Sequence, residues 1–157
     1  MEVNKGKLIK CIAIPLAVGG LAAVFSMGGM KEFENLNQPP LSPPSWLFPI
    51  AWTILYTLMG IASYLISESD AERADKTKAL TLYGYQLVVN FLWPIFFFSF
   101  GWYLFSFFWL LLLWVLVFLM IKSFWDISRV AAYLCIPYIL WLTFAAYLNL
   151  GVWWLNR

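Results

Sequence analysis

The stretch ALTLYGYQLVVNFLWPIFFFSFGWYLFSFFWLLLLWVLVFLMI, Ala79 to Ile121, contains no charged side chain. As a single helix at about 1.5 Å per residue it would be about 65 Å long, about twice the roughly 30 Å hydrocarbon core of a bilayer. A chain that stays apolar over that distance must turn once within it. Gly101 is the best break point, and Trp102 and Tyr103 beside it are aromatics suited to the membrane–water interface. The stretch is therefore expected to form two spans, 79–100 and 103–121.

Three further apolar stretches lie outside this one. The first, 8–29, follows Lys5, Lys7 and Lys10, a basic start that also suits a signal peptide. Its apolar region is too long for the usual signal, and no small-x-small cleavage site follows, so it reads as a retained helix. The second, 46–66, has Pro49 in its first turn, where the missing N–H costs little. The third, 130–155, contains Pro137. The connections differ in kind. Residues 30–45 hold Pro39, Pro40, Pro43 and Pro44, which deny that loop a long helix. Residues 67–78 form a charged connector with Glu68, Asp70, Glu72, Arg73, Asp75, Lys76 and Lys78, and Lys122 to Arg129 is a short polar turn. The predicted architecture is an all-α membrane protein, a single five-transmembrane-helix bundle.

Composition agrees. The chain is 63% hydrophobic and 11% charged, against about 45–50% and about 25% in a soluble domain. That leaves too little polar surface to cover a water-soluble globule. The net charge of +2 does not suggest a nucleic-acid partner. No His is present, which removes the commonest metal ligand and general base, His-ligated haem, and Ser-His or Cys-His nucleophile pairs. Cys11 and Cys135 both lie in apolar stretches and read as buried thiols. No metal site and no cofactor are expected.

With five spans, Lys5, Lys7, Lys10, Arg73, Lys76, Lys78, Lys122 and Arg129 share one side, and Lys31 and Arg157 the other. The excess of basic residues puts the N-terminus in the cytoplasm and the proline-rich loop and C-terminus outside. No Asp, Glu, Lys or Arg lies deep in a span, which argues against an ion-coupled pump.

Inside the spans are amides, hydroxyls and many indoles. Gln86, Asn90 and Trp93 fall at i, i+4, i+7 on one face of the third span; Trp141, Ala145 and Asn149 share a face of the fifth; Phe48, Trp52 and Tyr56 share a face of the second. Amides in lipid need partners, so Gln86, Asn90 and Asn149 should point inward. Two readings stay open: the amides tie helices together, or they line a pocket. A pocket with these walls would suit a flat, largely apolar aromatic ligand, with rings to stack on it and a few amides to orient it.

The motifs Pro39-Pro40-Leu41-Ser42-Pro43-Pro44-Ser45-Trp46, Pro49-Ile50-Ala51-Trp52-Thr53-Ile54-Leu55-Tyr56, Gln86-Leu87-Val88-Val89-Asn90-Phe91-Leu92-Trp93-Pro94 and Pro137-Tyr138-Ile139-Leu140-Trp141-Leu142-Thr143-Phe144-Ala145, with Leu148-Asn149, resemble the translocator protein family. This family comprises the tryptophan-rich sensory proteins and the peripheral-type benzodiazepine receptor. Pro15 and Gly19 fit its first helix, and the resemblance covers nearly the whole chain. It implies a bacterial cell membrane, a bundle that dimerises, and a pocket lidded by the first loop. The implied ligands are porphyrins such as protoporphyrin IX, sterols, isoquinoline carboxamides and benzodiazepines.

Carried over residue by residue, the pocket would include Phe48, Trp52, Asn90, Trp93, Trp141 and Ala145. Phe33 and Pro43 of the loop, with Gln86 and Asn149, complete the expected ligand-binding set. The chain departs from the family in three places. Glu32-Phe33 stands where a Trp-Tyr pair is common, Leu41 replaces the usual Trp before Pro-Pro, and the sterol motif is broken at Leu150 and Trp154. Sterol binding is therefore not carried over. The expected function is a membrane receptor or binding protein for porphyrins and other flat aromatic molecules. The alternatives are a light-dependent porphyrin-degrading enzyme using Trp52 and Trp141 as its catalytic residues, and a facilitative porphyrin transporter.

Overall fold

A chain in lipid must satisfy its backbone hydrogen bonds internally, so each apolar stretch becomes a helix. The computed structural model describes residues 2–157. It contains α1 (Lys5–Glu34), α2 (Leu47–Glu68), α3 (Arg73–Pro94), α4 (Tyr103–Ile127) and α5 (Arg129–Leu155), with α3 running on into a π turn, Ile95–Ser99. All five helices are long and apolar enough to cross a membrane.

The helix ends differ from the sequence expectation. α1 continues past Gly29 to Glu34, so the loop begins at Asn35 rather than Met30. α3 begins at Arg73, within the expected charged connector. α4 runs through the expected polar turn to Ile127, and only Ser128 separates it from α5. The Ser128 side chain accepts from the Ala131 N–H and caps α5. The reason is general. Lys, Arg, Glu and Met are good helix formers, so hydropathy marks where lipid ends and not where the helix does.

The turn between α3 and α4 falls at Gly101. Pro94 supplies no N–H, and the chain widens: Phe100 N–H reaches the Ile95 carbonyl at 3.1 Å, five residues back. Trp102 N–H then closes on the Phe96 carbonyl at 3.0 Å, with Gly101 at φ 65°. That left-handed position strongly favours glycine, as at many helix ends.

Helices α1 and α2 are neighbours, as are α3 and α4, α4 and α5, and α2 and α5, while the π turn packs on α1. The end of the bundle holding the N-terminus is tightly filled. Met59, Ala62, Ile66, Ala79, Val117, Met120, Phe124, Ala131, Ala132 and Cys135 are all fully buried there. A Cβ at Gly60 would lie 2.7 Å from the Cys11 carbonyl oxygen and the Ile12 Cα, so α1 and α2 meet backbone to backbone. The Lys7 ammonium pairs with Glu68, and the Asn4 N–H donates to the Tyr64 hydroxyl, tying the ends of these two helices.

The outer face is apolar. Phe108, Leu112, Val115 and Phe118 of α4 and Ile14, Leu21 and Phe25 of α1 are exposed, as a bilayer-facing surface requires. Trp46, Trp102 and Trp154 ring one end, and Trp125 and Tyr133 the other, in the manner of interface belts. The alternating helices put the eight basic residues grouped above at the packed end and Lys31 and Arg157 at the loop end.

Candidate ligand-binding site

The loop end of the bundle is hollow. A cavity of about 390 Å³ lies between α1, α2, α5, the end of α3 and its π turn, under the α1–α2 loop. α4 contributes nothing to its wall. The middle of α1 faces the cavity with small side chains, Gly19, Gly20, Ala22, Ala23 and Ser26, flanked by Leu16, Met30 and Phe33, whereas the opposing helices present rings. Trp52 stacks on Tyr56 at 5.4 Å and meets Tyr138 edge-on at 6.1 Å. Phe48 meets Trp141 edge-on at 5.9 Å, and Trp93 stacks on Phe97 at 5.2 Å. Phe33, from the last turn of α1, packs edge-on against Phe97 and Phe98 of the π turn.

Of the expected ligand-binding residues, Phe33, Phe48, Trp52, Asn90, Trp93, Trp141, Ala145 and Asn149 come together on the wall. Gln86 and Pro43 do not line it. Gln86 is fully buried beneath the floor, because its amide is taken up by other side chains. Its Oε1 accepts from the Tyr138 hydroxyl at 2.8 Å and its Nε2 approaches the Met59 sulfur at 3.7 Å. Pro43 sits half-buried in the loop, whose cavity-facing positions are instead Gln38, Ser42 and Ser45.

The floor is a chain of hydrogen bonds. The Tyr56 hydroxyl donates to Asn90 Oδ1 at 3.4 Å, Asn90 Nδ2 donates to the Tyr138 hydroxyl at 2.7 Å, and the Tyr138 hydroxyl donates in turn to Gln86 Oε1. Asn149 is similarly occupied. It accepts from Trp93 Nε1 at 3.0 Å and donates to the Tyr103 carbonyl at 2.7 Å. Both readings of the amides therefore hold, residue by residue. Gln86 only ties helices together, whereas Asn90, bonded to Tyr56 of α2 and Tyr138 of α5, and Asn149 tie helices and also line the cavity. The hydroxyls of Ser26, Ser42 and Thr53 donate to the backbone carbonyls of Ala22, Pro39 and Pro49, so toward the cavity they present lone pairs.

The loop is held down on α5. Asn156 accepts from the Asn37 N–H at 2.9 Å and donates to the Asn37 carbonyl at 2.8 Å, and the Tyr147 hydroxyl donates to the Pro40 carbonyl at 2.7 Å. Several contributors are not legible in the sequence, Tyr138, the small residues of α1 and Glu34 among them. Tyr138 lay within a matched motif but carried no polar label of its own in the helical spacing. The α1 residues were too small to mark a face. Glu34 fell in what read as loop.

The TspO/MBR family model matches residues 11–155. The chain is 36% identical to Protein CrtK of Rhodobacter capsulatus, over 88% of this chain and 85% of that one. It is 33% identical to the Tryptophan-rich protein TspO of Chlorobaculum tepidum, over 95% of each. It is 34% identical to the Translocator protein of Bos taurus, over 92% of this chain and 86% of the other. With a multi-pass helical bundle, a matching family model and relatives this similar over most of their length, the chain belongs to the TspO/MBR family.

Proposed function

We propose that the chain is an integral membrane binding protein for porphyrins and related flat aromatic molecules. The observation that carries this reading is the cavity itself. It is walled by Phe48, Trp52, Trp93 and Trp141, with the Asn90 amide, whose oxygen makes one long bond at 3.4 Å, among its few polar groups. Its volume of about 390 Å³ falls within the roughly 300–1,000 Å³ of small-molecule sites, which typically combine apolar walls with a few placed polar groups. Aromatic faces hold a flat conjugated ligand by stacking. The packed half below the floor favours a closed binding site over an open channel. In this reading the basic, packed end is cytoplasmic and the cavity lies toward the outer face. Labelling in intact cells of a cysteine placed at Arg157 is the expected result, and labelling only after permeabilisation would reverse the orientation.

The test of binding is titration of protoporphyrin IX into purified protein in the dark, read by quenching of tryptophan fluorescence. Saturable quenching that a flat aromatic competitor displaces is expected, and its absence would remove the reading. Light-dependent degradation is a second reading, supported by the contact of Trp52 with the oxidisable phenols of Tyr56 and Tyr138. It requires porphyrin bands to disappear in light only with protein present, and Trp52→Phe to stop that loss while binding persists.

A further inference from the structure

Every residue on the cavity wall is uncharged except one, Glu34, at the mouth. We propose that Glu34 selects ligands by charge, favouring a neutral or cationic outer end over a carboxylate; this rests on the binding reading above. Four observations support it. First, no basic side chain shares the wall. Of the cations at this end, the Arg157 guanidinium lies 3.5 Å over the Trp154 ring, away from the cavity, and Lys31 does not line it. Second, Glu34 has no ion-pair or hydrogen-bond partner among the described residues, where Lys7–Glu68 is the only salt bridge, so its charge is not spent within the protein. Third, helix stability does not explain the position. Glu34 is the last residue of α1, where an anion meets the negative end of the helix dipole. Fourth, the other polar groups on the wall are neutral: the hydroxyls of Ser26, Ser42 and Thr53 present lone pairs, and the unbonded donors there, such as the Trp52 and Trp141 indole N–H groups, carry no full positive charge to offset a carboxylate.

A ligand seated with its flat body between Trp52, Trp93 and Trp141 places its periphery toward the mouth. A peripheral carboxylate there is repelled by Glu34, and an ammonium is attracted. The effect is modest, because the mouth is exposed and salt screens it beyond about 10 Å.

The experiment compares three porphyrins with the same ring: the diacid protoporphyrin IX, its dimethyl ester, and its diamide carrying terminal amines. Each is titrated into protein in phosphatidylcholine nanodiscs, whose lipid has no net charge, with empty nanodiscs giving the partition background. The cationic diamide is expected to bind about fivefold more tightly than the diacid at low salt, with the ester between. Glu34→Gln should remove that order, and Glu34→Lys should invert it. Since Glu34 is exposed and makes no side-chain bond, both variants should fold, and thermal unfolding curves matching the parent's would show that they do. Equal affinity of all three porphyrins for the parent, or an order that survives Glu34→Gln, would overturn the proposal while leaving porphyrin binding intact. Failure of all three to bind would remove the binding reading and this inference with it.

Discussion

The two halves of this bundle use the same helices and differ in how completely the space between them is filled. In the half near the N-terminus the contacts are made by Ala62, Ala79, Ala131 and Ala132, all fully buried, and by Gly60 against the α1 backbone. Small residues let helices in lipid come close and gain dispersion contacts along their length. In the half near the loop, rigid rings on α2, α3 and α5 face a small-residue stripe on α1. Rings cannot interdigitate as alanines do, and between the close contacts of Gly19 with the Tyr56 ring and of Gly29 with the Phe98 backbone the side chains of Ala22, Ala23 and Ser26 are too short to fill the gap. The hydrogen-bonded chain from Tyr56 to Gln86 marks the boundary. A cavity in this setting lies where rings face a stretch of α1 whose side chains are too short to meet them.

The most direct way to break the contrast is to add volume in each half. Gly60→Val would drive a branched side chain into the backbone of Cys11 and Ile12. It should cost about 3 kcal/mol, the upper end for overpacking, read as a lowered unfolding temperature in detergent. Gly20→Ala, on the cavity side of α1 with nothing within 4 Å of the added carbon, should leave that temperature unchanged or raise it slightly. Similar losses at both positions would mean that the halves are packed alike.

The boundary can be tested next. Tyr138→Phe deletes the hydroxyl that accepts from Asn90 and donates to Gln86. Two buried amide groups then lack partners, and unsatisfied groups cost about 1–3 kcal/mol. A loss of about 2 kcal/mol in stability is expected, because Gln86 is fully buried. A near-neutral result would show that the floor is not a structural barrier.

Much of this arrangement was legible in the sequence, for reasons that also explain what was not. The five helices and the break at Gly101 follow from length, because an apolar run cannot exceed the bilayer and remain in it. The helix ends did not follow, since Arg73–Lys78 and Met30–Glu34 are helical on propensity while too polar for lipid. The π turn was also hidden. Pro94 signals a missing N–H, but whether the chain kinks or widens depends on the packing of Phe97 and Phe98 against Phe33. Asn90, Trp93, Trp141 and Ala145 could be read from helical spacing together with the family motifs. Gln86 misled, because an amide at the right spacing sits on the right face without revealing its depth.

The hollow half is sharpened by filling it. Ala145 is buried on the cavity wall one turn from Trp141. Ala145→Leu places its added carbons in empty space, so stability should change little. Ligand binding should weaken by about 1.5 kcal/mol, roughly tenfold, within the range for overpacking a filled site. Porphyrin titration and thermal unfolding of the same sample separate the two effects, and unchanged affinity would take Ala145 out of the site.

The smallest expected effects come from the indoles, and they should cross. Trp52 and Trp141 line the cavity, and no hydrogen bond engages either ring nitrogen among the described residues. Stacking against one indole is worth about 0.5–1.5 kcal/mol beyond area burial. Phe keeps part of the ring face, so Trp52→Phe or Trp141→Phe should weaken porphyrin binding by roughly tenfold at most, with little change in stability. On α4 the indoles serve the bundle instead. Trp109 Nε1 donates to the Val89 carbonyl at 2.8 Å and Trp114 Nε1 to the Thr143 hydroxyl at 2.9 Å, and neither lines the cavity. Trp109→Phe and Trp114→Phe should therefore lose about 1 kcal/mol of stability with the lost bond and bind porphyrin as the parent does. Trp93 belongs to both sets, stacked in the wall and bonded to Asn149, so Trp93→Phe should lose affinity and stability together. Quenching titrations and unfolding curves on the five variants read both quantities. If affinity fell equally at Trp52 and Trp109, the ligand would have to reach α4, which the cavity does not touch, and the site would lie elsewhere.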